Sequence, residues 1–270
     1  MFDPLTAFTL ERPLLIILST LYGLALVFYC PPKVKAKQAI KITGLALHIL
    51  AVLIHSFLLF LRFSSTGHAP LTGLYETLLS ISWSASFVFL VLSWKRGAFG
   101  YGRGAASVSW AIIFACLILH VFAYEKVVPR YLPPILHTSP WFELHTAPAL
   151  LAYGLFTLAF FAALTSLGGK DEVRPVRRSV ASFYLWPGMI LFTASLGLGG
   201  AASRLAWGSW WVWNPKSAFS LLTWGLFFLA LVSRGEKRWA KSAFPWLVIA
   251  GFAAMIFTYL FTNKGLHDFL

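Results

Sequence analysis

Eight apolar runs, each roughly 18–25 residues long, follow one another through this chain. They lie at about 13–30, 42–61, 75–94, 105–123, 144–167, 180–202, 217–233 and 243–262. As a helix, a run of that length covers the ~30 Å hydrocarbon core of a bilayer. Backbone N–H and C=O groups in lipid have no water to pair with, so an uninterrupted apolar run must satisfy them internally. Barrel strands would show shorter segments of alternating character instead. The expected fold is therefore all-α, a polytopic membrane protein with about eight transmembrane helices. Composition agrees: 11% of the residues are charged, against about 25% in ordinary domains.

The net charge of +13 would suggest nucleic acid in a soluble domain. Here the basic residues sit in alternate connections rather than on one folded face, which excludes that partner. Lys33, Lys35, Lys37 and Lys41 lie in the first of these connections, and Lys95, Arg96 and Arg103 in the second. Lys170, Arg174, Arg177 and Arg178 lie in the third, and Arg234, Lys237, Arg238 and Lys241 in the fourth. The positive-inside rule turns these connections to the cytoplasm and both termini to the outer face. The outer face keeps only Arg12, Arg62, Lys126, Arg130, Arg204, Lys216 and Lys264.

The first run is expected to be retained, because acidic residues precede it and lysines follow, the reverse of a cleavable signal peptide. Cys30 and Cys116 form no CxxC pair and read as packing residues. No internal repeat and no paired broken helices of the transporter type are present. Ionisable residues deep in the spans are few: His48 and His55, one heptad apart, and His120 near the outer end of the fourth run. A coupled pump would carry more of them at mid-depth. One transmembrane domain over 1–270 is the expected organisation.

Between the sixth and seventh runs the chain reads AWGSWWVWNPKSAFSLLTW, with Trp207, Trp210, Trp211 and Trp213 inside seven residues. An interfacial belt needs one or two tryptophans per helix end. Four indoles before Asn214, Pro215 and Lys216 suggest an apolar shelf for a large planar ligand. Topology places His145, at the start of the fifth span, and His267, past the eighth, on that same outer face. Two neutral imidazoles are a standard axial pair for haem iron. Arg204, Lys216 or Arg130 would meet the propionates. The alternatives at this point are a solvated surface histidine and an interfacial tryptophan belt.

Four segments carry a resemblance. WGSWWVWNPKSAFSLLTW is similar to the tryptophan-rich signature of the haem-handling membrane proteins of cytochrome c biogenesis, closest to the CcsA (ResC) branch of system II. GHAPLTGLYETLLSISWS at 67–84, WFELHTAPALLAYG and GLHDFL resemble further segments of that family in the same order, over about 67–267. The resemblance implies a protein that brings haem b to the outer surface of a bacterial cytoplasmic or thylakoid-type membrane. It implies covalent attachment of that haem to apocytochrome c, with a second membrane subunit of the CcsB (ResB) type. Carried over residue by residue, His145 and His267 become the axial ligands, so the metal is haem iron and no catalytic side chain is needed. Trp207, Gly208, Trp210, Trp211, Trp213, Asn214, Pro215 and Lys216 become the haem loop, at about 203–218. Tyr75 and Glu76 match a family pair assigned here to packing or loop support.

Three departures stand out. Asn214 and Ser217 replace the family's Asp and Glu, and Gly73 replaces an Asn before the Tyr-Glu pair. Val232 and Ser233 stand where the family carries an inner, membrane-embedded histidine. The competing reading is a HemX-like haem-binding or regulatory membrane protein without synthase activity.

Overall fold

The computed structural model describes residues 4–29, 38–71, 73–94, 102–128, 140–168, 174–235 and 243–261. Each apolar run is a helix. In chain order these are α1 (Pro4–Tyr29), α2 (Gln38–Thr66), α3 (Gly73–Trp94), α4 (Gly102–Phe122), a single turn α5 (Tyr124–Val127), α6 (Pro140–Leu167), α7 (Arg174–Trp207), α8 (Pro215–Gly235) and α9 (Ala243–Phe261). Among the described residues there is no strand. Seven helices are long and apolar enough to cross a membrane, and the apolar stretch of α9, Ala243–Tyr259, is a little shorter. The chain is an all-helical, polytopic membrane protein. Pro13, Pro148 and Pro187 lie inside helices, as membrane helices tolerate when neighbours re-satisfy the freed carbonyls.

The helices gather into two compact units, 1–132 and 133–270. In the first, α1 packs on α2 and α4, and α3 packs on α4. Leu15, Leu18 and Tyr22 form one face of α1, at three- and four-residue spacing, buried with Leu58, Leu79, Ile113 and Cys116. Serines join α3 to α4: Ser109 Oγ donates to the Ser82 carbonyl at 3.0 Å, and Ser86 Oγ lies 2.6 Å from Ser109 Oγ. Hydroxyls at a close helix crossing serve this way in lipid, where apolar burial gives no preference for protein over tails.

Helix α2 runs further than its apolar pattern. It ends at Thr66, where Gly67 takes φ 76 and returns its N–H to the Phe63 carbonyl at 2.8 Å. This left-handed glycine cap places Arg62 inside the helix, just beyond the apolar run that ends at about 61. His48, His55 and Arg62 form a buried stripe on α2 at seven-residue intervals, about 10.5 Å apart along the axis. His55 Nδ1 lies 3.3 Å from the Tyr22 hydroxyl. His48 sits among Tyr22, Tyr29 and Phe89, with neither ring nitrogen hydrogen-bonded to a described residue. His68 is buried, with Nδ1 2.9 Å from the Ala69 carbonyl. Cys116 is a buried free thiol; Cys30 lies outside the described residues.

In the second unit α6 packs along α7, and α9 packs on α8 and α6. Glycines set the spacing. A Cβ on Gly188 would stand 2.7 Å from the Phe156 ring, and one on Gly251 would stand 2.8 Å from Phe227. Phe156 and Phe227 stack at 4.0 Å, joining α6 to α8.

Candidate functional site

The tryptophan segment is a fixed turn between two capped helices. Helix α7 ends as Gly208 takes φ 73 and donates its N–H to the Arg204 carbonyl at 3.0 Å. The Arg204 guanidinium donates to the Gly208 carbonyl, so this cation is engaged in closing the helix. Ser203 Oγ donates to the Ser209 carbonyl at 2.8 Å, and Ser209 Oγ to that of Trp211 at 2.9 Å.

Helix α8 begins with a reciprocal cap. The Ser217 N–H donates to Asn214 Oδ1 at 2.8 Å, and the Asn214 N–H donates to Ser217 Oγ at 3.0 Å. Pro215 occupies the first helical position, where its missing N–H costs nothing. This is a capping box built from an amide and a hydroxyl. The two positions where the family carries Asp and Glu are thus the two that hold each other across the first turn. Both residue types at each position supply the acceptor oxygen that this geometry requires.

Trp210 and Trp213 are 64% and 74% exposed, Trp207 is exposed, and Trp211 is half-buried. The Trp211 and Trp213 rings meet edge to face, with centroids 5.9 Å apart and planes at 73°. The loop therefore presents indole faces at a steep angle rather than one flat shelf. Trp211 Nε1 is buried with no hydrogen-bond partner among the described residues, an unsatisfied donor within the loop.

His145 projects from the first turns of α6. Its Nδ1 lies 2.8 Å from the Trp141 carbonyl, which can only accept. Nδ1 therefore carries the proton and Nε2 keeps the lone pair. The Thr146 hydroxyl lies 3.3 Å from that Nε2. On the facing side of α7, a Cβ on Gly199 would stand 3.7 Å from His145 Cδ2, and one on Gly200 would stand 3.2 Å from the Trp210 carbonyl. Two adjacent glycines therefore let the histidine and the tryptophan loop lie against the same stretch of α7. Ser195 Oγ donates to the His145 carbonyl at 2.6 Å, holding α6 in that register. Lys216, close enough to act on His145 electrostatically, has its ammonium 5.8 Å from the Tyr259 ring centroid on α9. Tyr153 meets that ring edge-on at 5.4 Å.

His145, the loop from Trp207 to Ser217, and Lys216 are thus brought to one end of the second unit. His267 and Arg130 lie outside the described residues. Sequence reasoning missed Tyr259, which carries no motif, and the Gly199–Gly200 pair, whose place inside a helix was an available signal. Among the described residues no three His, Cys, Asp or Glu side chains converge on a metal. Iron held in a macrocycle requires only one or two axial side chains, and an Nε2 lone pair beside indoles suits that requirement.

The sequence profile of the cytochrome c assembly protein family matches residues 71–267. The chain belongs to that family. It is 25% identical over 253 residues to the cytochrome c biogenesis protein CcsA of Guillardia theta, covering 82% of this chain and 83% of the relative. Against CcsA of Prochlorococcus marinus strain AS9601 the identity is 24%, over 88% and 86% of the two chains. Protein NrfI of Wolinella succinogenes is 28% identical over 99% of this chain but only 30% of its own length. The family match includes the tryptophan loop, His145 and the Tyr75–Glu76 pair, and begins after Arg62. Gly73, where the resemblance leads one to expect Asn, has φ 67; Gly and Asn are the residues that most readily accept that left-handed conformation.

Proposed function

We propose that this chain is the haem-binding membrane subunit of a cytochrome c biogenesis system, holding haem b at the outer membrane face for covalent attachment to apocytochrome c. The observation that carries the reading is the His145 tautomer, an Nε2 lone pair set beside the tryptophan loop across Gly199 and Gly200. In this reading His145 and His267 are the axial ligands. The ligand would take the place of the Thr146 hydroxyl at Nε2. The indoles of Trp207, Trp210, Trp211 and Trp213 would keep water from a bound macrocycle, and the buried Trp211 N–H would be available to it as a donor. Lys216, over the Tyr259 ring, would be the cation to pair with its carboxylates. Bound haem supplies the vinyl groups to which the apocytochrome's thiols add. The chain itself orients and dries the site.

Residues 203–218 form the haem loop, on the periplasmic or equivalent outer side, with both termini on that side. A CcsB/ResB-type subunit is the expected partner. The match to under a third of NrfI fits a chain of this size working beside further protein. The purified chain should show a bis-histidine haem spectrum that disappears in His145→Ala and in His267→Ala; a spectrum unchanged in both would overturn the assignment. Reconstitution with a CcsB-type partner and an apocytochrome, scored for covalent haem, tests attachment.

One observation favours a second reading, a haem-binding or regulatory protein without synthase activity. Val232 is exposed and Ser233 Oγ is bonded to the Ala230 carbonyl at 2.8 Å, so neither offers a ligand where the family carries its inner histidine. Cells lacking this chain would then still attach haem to their cytochromes c.

A further inference from the structure

Five helices of the first unit bring ionisable or polar groups to one buried place. Arg62 on α2 donates through Nη1 to both Glu11 oxygens on α1, at 2.8 Å each, and through Nε to Glu76 Oε1 on α3 at 3.1 Å. Its Nη2 donates to the Val127 carbonyl of α5 at 2.7 Å. The Tyr75 hydroxyl donates to Glu11 Oε2 at 3.3 Å, and the guanidinium lies 4.8 Å from the Tyr75 ring centroid. The three charged side chains are no more than 3% exposed.

Among the described side chains the charges do not balance, because two carboxylates meet one guanidinium. With both ionised, a net negative charge is buried among helices that face lipid, which is costlier than binding a proton. The missing positive charge has a place. His120 on α4 is buried, stacked on Phe8 at 4.6 Å, and its Nε2 faces Glu11 Oε2 at 3.8 Å with no hydrogen-bond partner among the described residues. A proton closes that gap in either of two forms, Nε2–H donating to the carboxylate or Oε2–H donating to the imidazole. Of the other groups nearby, Arg12 on α1 and Glu125 on α5 are exposed, and Cys116 on α4 and Tyr75 on α3 bring no positive charge. The Lys126 side chain on α5 lies outside the described residues.

We propose that the Glu11–His120 pair is a proton-binding site, holding one exchangeable proton that neutralises the Arg62 cluster. The site is separate from the haem loop and stands whether or not that loop binds haem. Glu11, Arg62 and the α1–α2 hairpin precede the family match, whereas Tyr75, Glu76 and His120 fall within it, so the site is assembled across that boundary.

The test is pH-difference infrared spectroscopy on the full chain in lipid nanodiscs, with and without isotope-labelled histidine. Beyond the carboxyls and imidazoles that meet water, the wild type should titrate one further proton per chain, read as a carboxylic-acid band, a label-sensitive imidazolium band, or both. Glu11→Gln, close in shape and unable to ionise, should abolish that titration, with circular dichroism reporting the helix content. His120→Gln should move the proton wholly onto a carboxyl and strengthen the acid band. Lys126→Gln should change nothing. A wild type that titrates no such group while folded, or a Glu11→Gln spectrum identical to wild type, overturns the proposal. So does loss of the signal in Lys126→Gln. If Glu11→Gln fails to fold, the wild type minus His120→Gln difference under histidine labelling decides the matter, and no change in either band overturns the proposal.

Discussion

Asn214 and Ser217 show how a departure from a family's residues can leave its geometry intact. In the sequence they are two missing carboxylates beside the tryptophan loop. In the structure they are the two halves of a helix cap, each accepting the other's backbone N–H. Their sequence spacing was legible, but the role was not, because a capping box is recognised by Ser or Thr before Glu or Gln and this one pairs Asn with Ser. Asn214→Ala should therefore cost about 1 kcal/mol of stability, measurable by denaturant unfolding in mixed micelles. The double change Asn214→Asp with Ser217→Glu should keep both stability and haem loading near wild type. The neighbouring glycines make a sharper contrast. A Cβ at Gly200 presses on the Trp210 carbonyl at 3.2 Å, while one at Gly199 makes ordinary contact with His145 at 3.7 Å. Gly200→Ala should shift the loop's tryptophan fluorescence and lower haem occupancy several-fold, and Gly199→Ala should leave both nearly unchanged. Equal effects of the two substitutions would contradict the packing described for this stretch of α7.

At the level of whole elements, hydrophobic run length located each long helix among the described residues, because lipid leaves the backbone no alternative partner. Boundaries were less legible where polar residues continue a helix. Helix α7 extends from Arg174 to Trp207 although its apolar run covers 180–202, and α2 continues past residue 61 to its glycine cap. That extra turn matters, since it carries Arg62, assigned by charge to the outer face, into a buried network. Nothing in sequence spacing announces a bond between residues 51 positions apart, such as Glu11 and Arg62. Close crossings are a second property that run length does not reveal. Gly188 admits the Phe156 ring at a distance where any Cβ collides, and small residues at such crossings let membrane helices approach. Gly188→Ala should destabilise the second unit by about 1–3 kcal/mol, the usual cost of overpacking. Phe156→Leu in the same chain should recover part of that loss. A double-mutant cycle on thermal unfolding reads the coupling, and strict additivity would mean that the two side chains do not compete for the same space.

For the molecule as a whole, orientation rests on charge rather than on packing. Lysines and arginines cluster in four alternate connections, and cations are retained on the cytoplasmic side during insertion. The tryptophan loop belongs to the other set, so the functional reading and the topology stand or fall together: an outward-facing acceptor cytochrome can reach the loop only if the basic connections face inward. The consequence is measurable without haem. In a background with Cys30→Ser and Cys116→Ala, a cysteine at Ser209, exposed in the tryptophan loop, should react with a membrane-impermeant maleimide in intact cells. Cysteines at Lys170 and Lys237, in two of the basic connections, should react only after the membrane is opened. Moving the charge should move the chain. Replacing Arg234, Lys237, Arg238 and Lys241 by glutamine removes the basic cluster that follows α8 and should yield a mixed population in which part of the Ser209 cysteine becomes inaccessible from outside. Labelling of Ser209 that is complete in that variant would show that the remaining basic connections are enough to set the orientation, and labelling of Lys170 in intact wild-type cells would reverse it.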